Sequence, residues 1–477
     1  MLITKNGFRE YDARWLLNKE LDLEGAEALG LALATLIHER GIEPKLVTGH
    51  DYRSYSESVK NALIKGLLAG GIEVHDIGLA VTPMAYYAQF ALNIPCVAMC
   101  TASHNENGWT GVKMGMEKPL TFGPDEMGRL RDITLNGEGE PRSGGKLVQV
   151  EDFAARYLAH NIKRGPYTRK IKAIVACGNG TAGAFAPEAL RALGVEVIER
   201  YCGLDHSFPH YNPNPEDLTM LHDMAAQVRE HGADLALGFD GDGDRCGVVM
   251  NNGEELFADK LGVLIARNIA AAHPGSTFVV DVKSTGIYAI DPLLKQHNAK
   301  TEYWKTGHSY IKRRTAELGA IAGFEKSGHY FFNQPYGLGY DDALVSAIAV
   351  LDLLENNPGK SLADLAATLP QTFGSPTMAP HCDDDKKYGV VEALSGKVKA
   401  LTDIIGQKIT GIVTVNGVRF TVADGTWGLI RASSNKPELV VVVESPVSAA
   451  HRNAMFAFIE GLLAQHPEVG TFNQKLS

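Results

Sequence analysis

The chain of 477 residues is too long for one ordinary domain, and at roughly 150 residues per domain it holds about three or four. Apolar residues at 45% and charged residues at 21% supply several globular cores. The net charge of -10 excludes a general nucleic-acid binder, whose face would have to neutralise phosphates. It leaves room for a small anion held in a local basic pocket. No apolar run reaches the roughly 18 residues of a transmembrane helix. The amino-terminal stretch MLITKNGFREYDARW has no apolar signal core, so the expectation is a soluble, cytoplasmic protein without a membrane partner. Cys96, Cys100, Cys177, Cys202, Cys246 and Cys382 form no CxxC pair and read as free buried thiols.

In chain order, the amphipathic pattern predicts a helix over 24–40, stopped by Gly41. Strand 45–50, helix 56–69, strand 72–77, helix 83–93 and strand 95–101 follow. Short apolar strands separated by helices predict βαβ units and parallel pairing. The pattern restarts at Lys170 with strand 171–177, helix 186–193, strand 195–199, helix 216–231 and strand 234–240. It restarts again with helix 257–272, strand 277–281, helix 286–296, strand 300–304, helix 309–318 and strand 320–324. Pro370, Pro376 and Pro380 then mark a linker. Beyond it, close-spaced strands at 408–415, 417–423, 426–433 and 438–445 lie between helices 386–402 and 446–464. Asn416-Gly417 is a hairpin signal. The reading is three tandem α/β domains with mixed sheets (1–150, 151–253, 254–370) and a C-terminal α+β domain (371–477), around a central cleft.

The strongest chemical signal is Asp240-Gly241-Asp242-Gly243-Asp244-Arg245, after an apolar strand. Three carboxylates on one tight loop suit Mg²⁺, which also takes phosphate oxygens. An EF-hand is excluded, because Arg245 stands where its glycine would be and Asn251 where its final glutamate would be. The second signal is Cys100-Thr101-Ala102-Ser103-His104-Asn105, with Lys113 ten residues after Ser103. A serine at a strand end, flanked by small residues, is a candidate nucleophile, and a polar turn is its competitor. No GxSxG or SxxK surrounds it, which disfavours hydrolase elbows. The third is Glu325-Lys326-Ser327-Gly328-His329, able to grip adjacent sugar hydroxyls, with a histidine expected to titrate near neutrality. The fourth is Arg431-Ala432-Ser433-Ser434-Asn435-Lys436, a phosphate clamp by composition.

One motif points elsewhere. Gly178-x-Gly180-x-x-Gly183 follows a strand, opens a helix and is followed by Glu199 at the next strand end, the pattern of a dinucleotide site. An NAD-dependent oxidoreductase is therefore a rival reading, against close packing of a glycine turn. Arg9, Tyr11 and Arg14 sit in a charged arm that reads as solvated or as part of a site.

Taken in order, TASHN, DGDGDR, the Glu325–His329 loop and RASSNKP resemble the α-D-phosphohexomutase superfamily, in particular its bacterial phosphomannomutase/phosphoglucomutase branch. The resemblance spans essentially the whole chain. It implies exchange of hexose 1-phosphate and hexose 6-phosphate, on mannose or glucose, through phosphorylated Ser103 and a 1,6-bisphosphate. It implies Mg²⁺ on Ser103, Asp240, Asp242 and Asp244, and activation by glucose 1,6-bisphosphate or mannose 1,6-bisphosphate. By the same resemblance, Arg14, Lys113, Arg245 and His329 surround the moving phosphoryl group and transfer protons. Glu325 and Ser327 hold sugar hydroxyls. Arg431, Ser433, Ser434, Asn435 and Lys436 hold the second phosphate, on a last domain expected to move. Arg9, Tyr11, Lys283 and His308 take supporting substrate-binding positions. Trp15, Glu106, Phe324 and Ser434-Asn435 depart from common family residues and bear on substrate preference. Phosphoglucosamine mutase is the rival within the class, and Lys326 stands where that enzyme generally carries glutamine.

Overall fold

The computed structural model describes residues 1–434 and 436–476. They form two compact units: residues 1–258 with 327–366, and residues 259–326 with 367–477.

The first unit carries two mixed sheets. In the first, the order is Ala13–Leu16, Trp109–Gly115, Cys96–Cys100, Lys45–His50, Glu73–Leu79, Lys146–Gln149. The last four strands run parallel, as βαβ units require, while Trp109–Gly115 returns antiparallel beside Cys96–Cys100. Helix Leu23–Glu39 starts where the Asp22 carboxylate accepts the Gly25 N–H at 2.7 Å. Its apolar face joins Ser56–Ala69 and Pro124–Asn136 in one core with Leu46, Val74 and Val112. The second sheet has the order Glu255–Leu256, Cys246–Met250, Leu235–Phe239, Lys172–Ala176, Glu196–Arg200. It repeats the device: parallel strands, then an antiparallel return from Leu235–Phe239 to Cys246–Met250. The amino-terminal arm is no solvated tail, since Trp15 is fully buried and Tyr11 nearly so.

In the second unit, Thr277–Asp281 pairs in parallel with Lys300–Trp304 and Ala322–Phe324. The single helix expected over 286–296 is two short ones, Ile287–Ile290 and Pro292–Gln296. Asp291 breaks it by capping the second, accepting from Leu293 and Leu294 N–H at 3.0 Å each, with Pro292 next. The C-terminal sheet is antiparallel, in the order Phe373–Gly374, Leu439–Ser445, Trp427–Ala432, Val418–Val422, Gln407–Val413, Asp403–Ile404. Lys387–Lys399 and Ala449–Leu463 cover its core. The Asn416-Gly417 turn is longer than a two-residue hairpin, because the pairing resumes at Val413 opposite Arg419. A second apolar cluster in this unit joins Val282 to Trp427, Leu429, Val440 and Val442. There Arg419 lies 3.5 Å from the Trp427 ring centre and donates to the Val282 and Ser284 carbonyls at 2.7 Å each.

All six cysteines are free and buried, as the sequence predicts. Among the described residues no helix is long and apolar enough to cross a membrane.

Candidate active site

The two strongest motifs occupy equivalent places in the two sheets of the first unit. Ser103 lies between Cys96–Cys100 and its antiparallel return, and the DGDGDR loop lies between Leu235–Phe239 and its own return. Loops at the carboxyl ends of parallel strands are where α/β sheets place ligands. Here they meet, with Ser103 Oγ 3.2 Å from Asp240 Oδ2. Gly241 allows the approach, because a β-carbon there would stand 2.5 Å from the Ser103 carbonyl oxygen.

Asp240, Asp242 and Asp244 are completely buried, and their oxygens lie within 4.8 Å of one another. Two cations answer the three carboxylates. Lys113 Nζ donates to Asp242 Oδ2 at 2.9 Å and to Asp244 Oδ2, and Arg245 Nε donates to Asp240 Oδ2 at 3.1 Å. The Thr82 hydroxyl donates to Asp242 Oδ2 at 2.6 Å. One negative charge remains uncompensated, and Asp242 Oδ1 is buried with no hydrogen-bond partner. Burial, then repulsion from Asp244 and Asp242, pushes the Asp240 carboxyl well above the usual carboxylate range. Burial would raise Asp244 too, but Lys113 and His329 hold it well below that range. Buried carboxylates this close repel one another unless a cation lies between them. An orphaned buried oxygen, a surplus negative charge and three hard oxygen donors fit a divalent cation such as Mg²⁺.

Other expected residues gather at the same centre. His329 Nε2 lies 3.4 Å from Asp244 Oδ1, and its Nδ1 lies 2.9 Å from Ser327 Oγ. Burial pushes the His329 pKa below the ordinary histidine value despite the pull of Asp244. His104 Nδ1 lies 3.2 Å from Ser103 Oγ, and burial, with Arg245 and Arg14, pushes its pKa well below the usual value. Arg14, on Ala13–Leu16, is held by Asp12 at 3.0 Å and reaches Asn105 Oδ1 at 3.4 Å. Arg9 and Tyr11 lie on the segment leading into that strand.

The remaining expected residues belong to the second unit. Glu325 Oε1 accepts the Gly307 N–H at 2.5 Å, one residue before His308, which opens helix His308–Leu318. Lys283 Nζ lies 3.9 Å from Asp281 Oδ2. Arg431 Nη1 donates to Asn416 Oδ1 at 3.0 Å and to the Ala432 carbonyl, while its buried Nε has no hydrogen-bond partner. Ser433 Oγ accepts the Lys436 N–H at 3.3 Å, and Ser434 lies between them. Asn435 lies outside the described residues. Asn416 also accepts the Thr306 N–H at 3.3 Å, so one amide links the loop before His308 to Arg431.

Sequence reasoning assigned no individual site role to Thr82, Asp12, Asn105, Glu216 or Asn416. Glu216, in a stretch assigned no chemistry, pairs with Arg245 at 3.2 Å. The glycine fingerprint is accounted for by packing. A β-carbon at Gly183 would stand 2.1 Å from the Cys202 carbonyl oxygen, and one at Gly180 would stand 3.1 Å from Gly241 Cα. Glu199 pairs with Arg191 at 2.6 Å.

Residues 5–140, 155–253 and 257–373 match, in order, the phosphoglucomutase/phosphomannomutase alpha/beta/alpha domains I, II and III, and residues 381–461 match the C-terminal domain of the same family. The chain is 34% identical to a phosphomannomutase/phosphoglucomutase of Pseudomonas putida, over 97% of this chain and 96% of that one. It is 32% identical to a phosphoglucomutase of Neisseria gonorrhoeae, over 94% and 95% of the two chains. Among solved structures, a phosphoglucomutase/phosphomannomutase family protein of Burkholderia thailandensis superposes with a TM-score of 0.87 at 28% identity, covering 98% of this chain and 99% of that one.

Proposed function

This chain belongs to the phosphoglucomutase/phosphomannomutase family and is a phosphohexomutase, and on that premise we propose that Ser103 carries the phosphoryl group between hexose 1-phosphate and hexose 6-phosphate. The observation that supports this most is Ser103 Oγ at 3.2 Å from Asp240 Oδ2, on the rim of a buried carboxylate triad with an orphaned oxygen. Asp240, Asp242 and Asp244, with Ser103, would hold Mg²⁺, which when bound neutralises charge on the phosphoryl oxygens. Lys113 and Arg245 between them orient all three carboxylates and add positive charge around the same centre. The His329 ring is the candidate for moving a proton to or from a sugar hydroxyl. Glu325 and Ser327 are proposed to read sugar hydroxyls away from C2, with Arg9, Tyr11, Lys283 and His308 in support, so that mannose and glucose phosphates are both accepted. Six buried free thiols suit a reducing, cytoplasmic location.

The sequence carries two separate cation-bearing loops, one around Ser103, Lys113 and Arg245 and one at Arg431 to Lys436. A ligand that bears two phosphates at some stage calls for both, so trace glucose 1,6-bisphosphate or mannose 1,6-bisphosphate is proposed to activate the enzyme by rephosphorylating Ser103. The test is to incubate mannose 1-phosphate, glucose 1-phosphate and glucosamine 1-phosphate separately with Mg²⁺ and the bisphosphate, and to follow products by ³¹P NMR. The expected result is 6-phosphate from the first two, far outrunning free phosphate. Stoichiometric free phosphate without 6-phosphate overturns the reading, and turnover of glucosamine 1-phosphate alone moves the chain to the rival branch.

Arg431→Ala is expected to raise KM for sugar phosphates about ten- to a hundredfold, the worth of a charge-assisted phosphate contact. Steady-state kinetics checks it, and an unchanged KM makes the loop structural.

A further inference from the structure

Ser103 adopts φ +52°, the left-handed region that a residue with a β-carbon holds only where its surroundings over-determine it. Those surroundings lead back to one buried ion pair just beyond strand Lys45–His50. Asp51 is completely buried and Arg53 nearly so, and Arg53 Nη1 donates to Asp51 Oδ2 at 2.6 Å. The Ser56 hydroxyl donates to Asp51 Oδ1 at 2.5 Å and fixes the carboxylate from the other side.

From this pair, hydrogen bonds reach the nucleophile loop at both ends. The Thr101 hydroxyl and the Ala102 N–H donate to Asp51 Oδ2 at 2.8 and 3.2 Å. The Thr101 oxygen in turn accepts the Ser103 N–H at 2.8 Å. Arg53 Nη2 donates to the Ser103 carbonyl at 2.9 Å and to the Asn105 carbonyl at 2.5 Å. The Ser103 carbonyl is also the group that packs against Gly241 of the metal loop.

We propose that Arg53, clamped by Asp51, is a positioning residue that sets Ser103 Oγ against Asp240 by gripping the carbonyls of Ser103 and Asn105. A buried ion pair is a weak source of stability, because desolvation offsets its Coulombic gain. What the guanidinium contributes here is geometry: one planar group satisfies a carboxylate and two carbonyls at once, which a lysine cannot reproduce. The inference rests on Ser103 being the phosphoryl acceptor.

Arg53→Lys keeps a charge opposite Asp51 and removes the fork, and Arg53→Ala removes both. Each is incubated with glucose 1,6-bisphosphate, beside the unaltered protein, and the Ser103 peptide is followed by mass for a gain of about 80 Da. In Arg53→Lys the rate of that gain and kcat are expected to fall about a hundredfold, the scale of a misplacement near 1 Å, while KM for the sugar phosphate stays within about threefold. Guanidinium added to Arg53→Ala is expected to restore part of kcat. A wild-type labelling rate in Arg53→Lys overturns the inference alone. Absence of label on the unaltered protein's Ser103 removes the proposed acceptor, and this inference with it.

Discussion

Ser103→Ala is expected to abolish turnover, with a loss on the order of a millionfold in kcat, as for other removed nucleophiles. The substitution deletes the hydroxyl that donates to Asp240 Oδ2 at the meeting of the two loops. It deletes no charge, so Lys113, Arg245 and Arg14 remain to attract a phosphate. Sugar-phosphate affinity, measured by calorimetry, is therefore expected to stay close to that of the unaltered protein. Near-normal rates in Ser103→Ala would remove the phosphoserine from the scheme altogether.

Asp242→Asn, or dialysis against EDTA, is expected to lower activity by about a thousandfold, since Lewis-acid stabilisation of transferring charge is worth several kcal/mol. Asp242 carries a buried triad oxygen without a hydrogen-bond partner, and an amide in its place offers a weaker ligand and no charge. Stability supplies a second readout. A ligand that binds only the folded state stabilises it by about 2.7 kcal/mol at a hundred times its Kd. Mg²⁺ should raise the melting temperature of the unaltered protein and leave that of Asp242→Asn nearly unmoved. Full activity of the unaltered protein in excess EDTA would rule out the metal role.

Helices and strands with a clear period were legible in the sequence, including Leu23–Glu39, Lys45–His50, Leu235–Phe239 and the four main C-terminal strands. Elements that carry chemistry were harder to see. Trp109–Gly115 contains two glycines and Lys113, and its pattern predicts no strand; the lysine is there because it answers two carboxylates. Ala13–Leu16 is interrupted by Arg14 for a similar reason. Ala343–Glu355 is almost wholly apolar and shows no clean amphipathic period, because nearly every face of it is buried.

The site divides the same way. Contiguous motifs such as DGDGDR announce themselves because their carboxylates need a shared cation. Thr82 and Asp51 are single polar residues whose partners lie 160 and 50 positions away, and local spacing says nothing of them. The glycines at 178, 180 and 183 gave a misleading signal, since close packing of a strand-to-helix turn requires the same residues as a pyrophosphate site.

The chemical state of Ser103 during turnover decides most directly whether it carries the phosphoryl group. Purified protein is incubated with glucose 1,6-bisphosphate and Mg²⁺, then with excess glucose 6-phosphate, and the peptide containing Ser103 is weighed at each stage. The predicted result is a gain of about 80 Da on Ser103 in the first step and its loss in the second, at a rate matching turnover. Full mutase turnover with Ser103 unmodified throughout, or with the added mass on another residue, would contradict it.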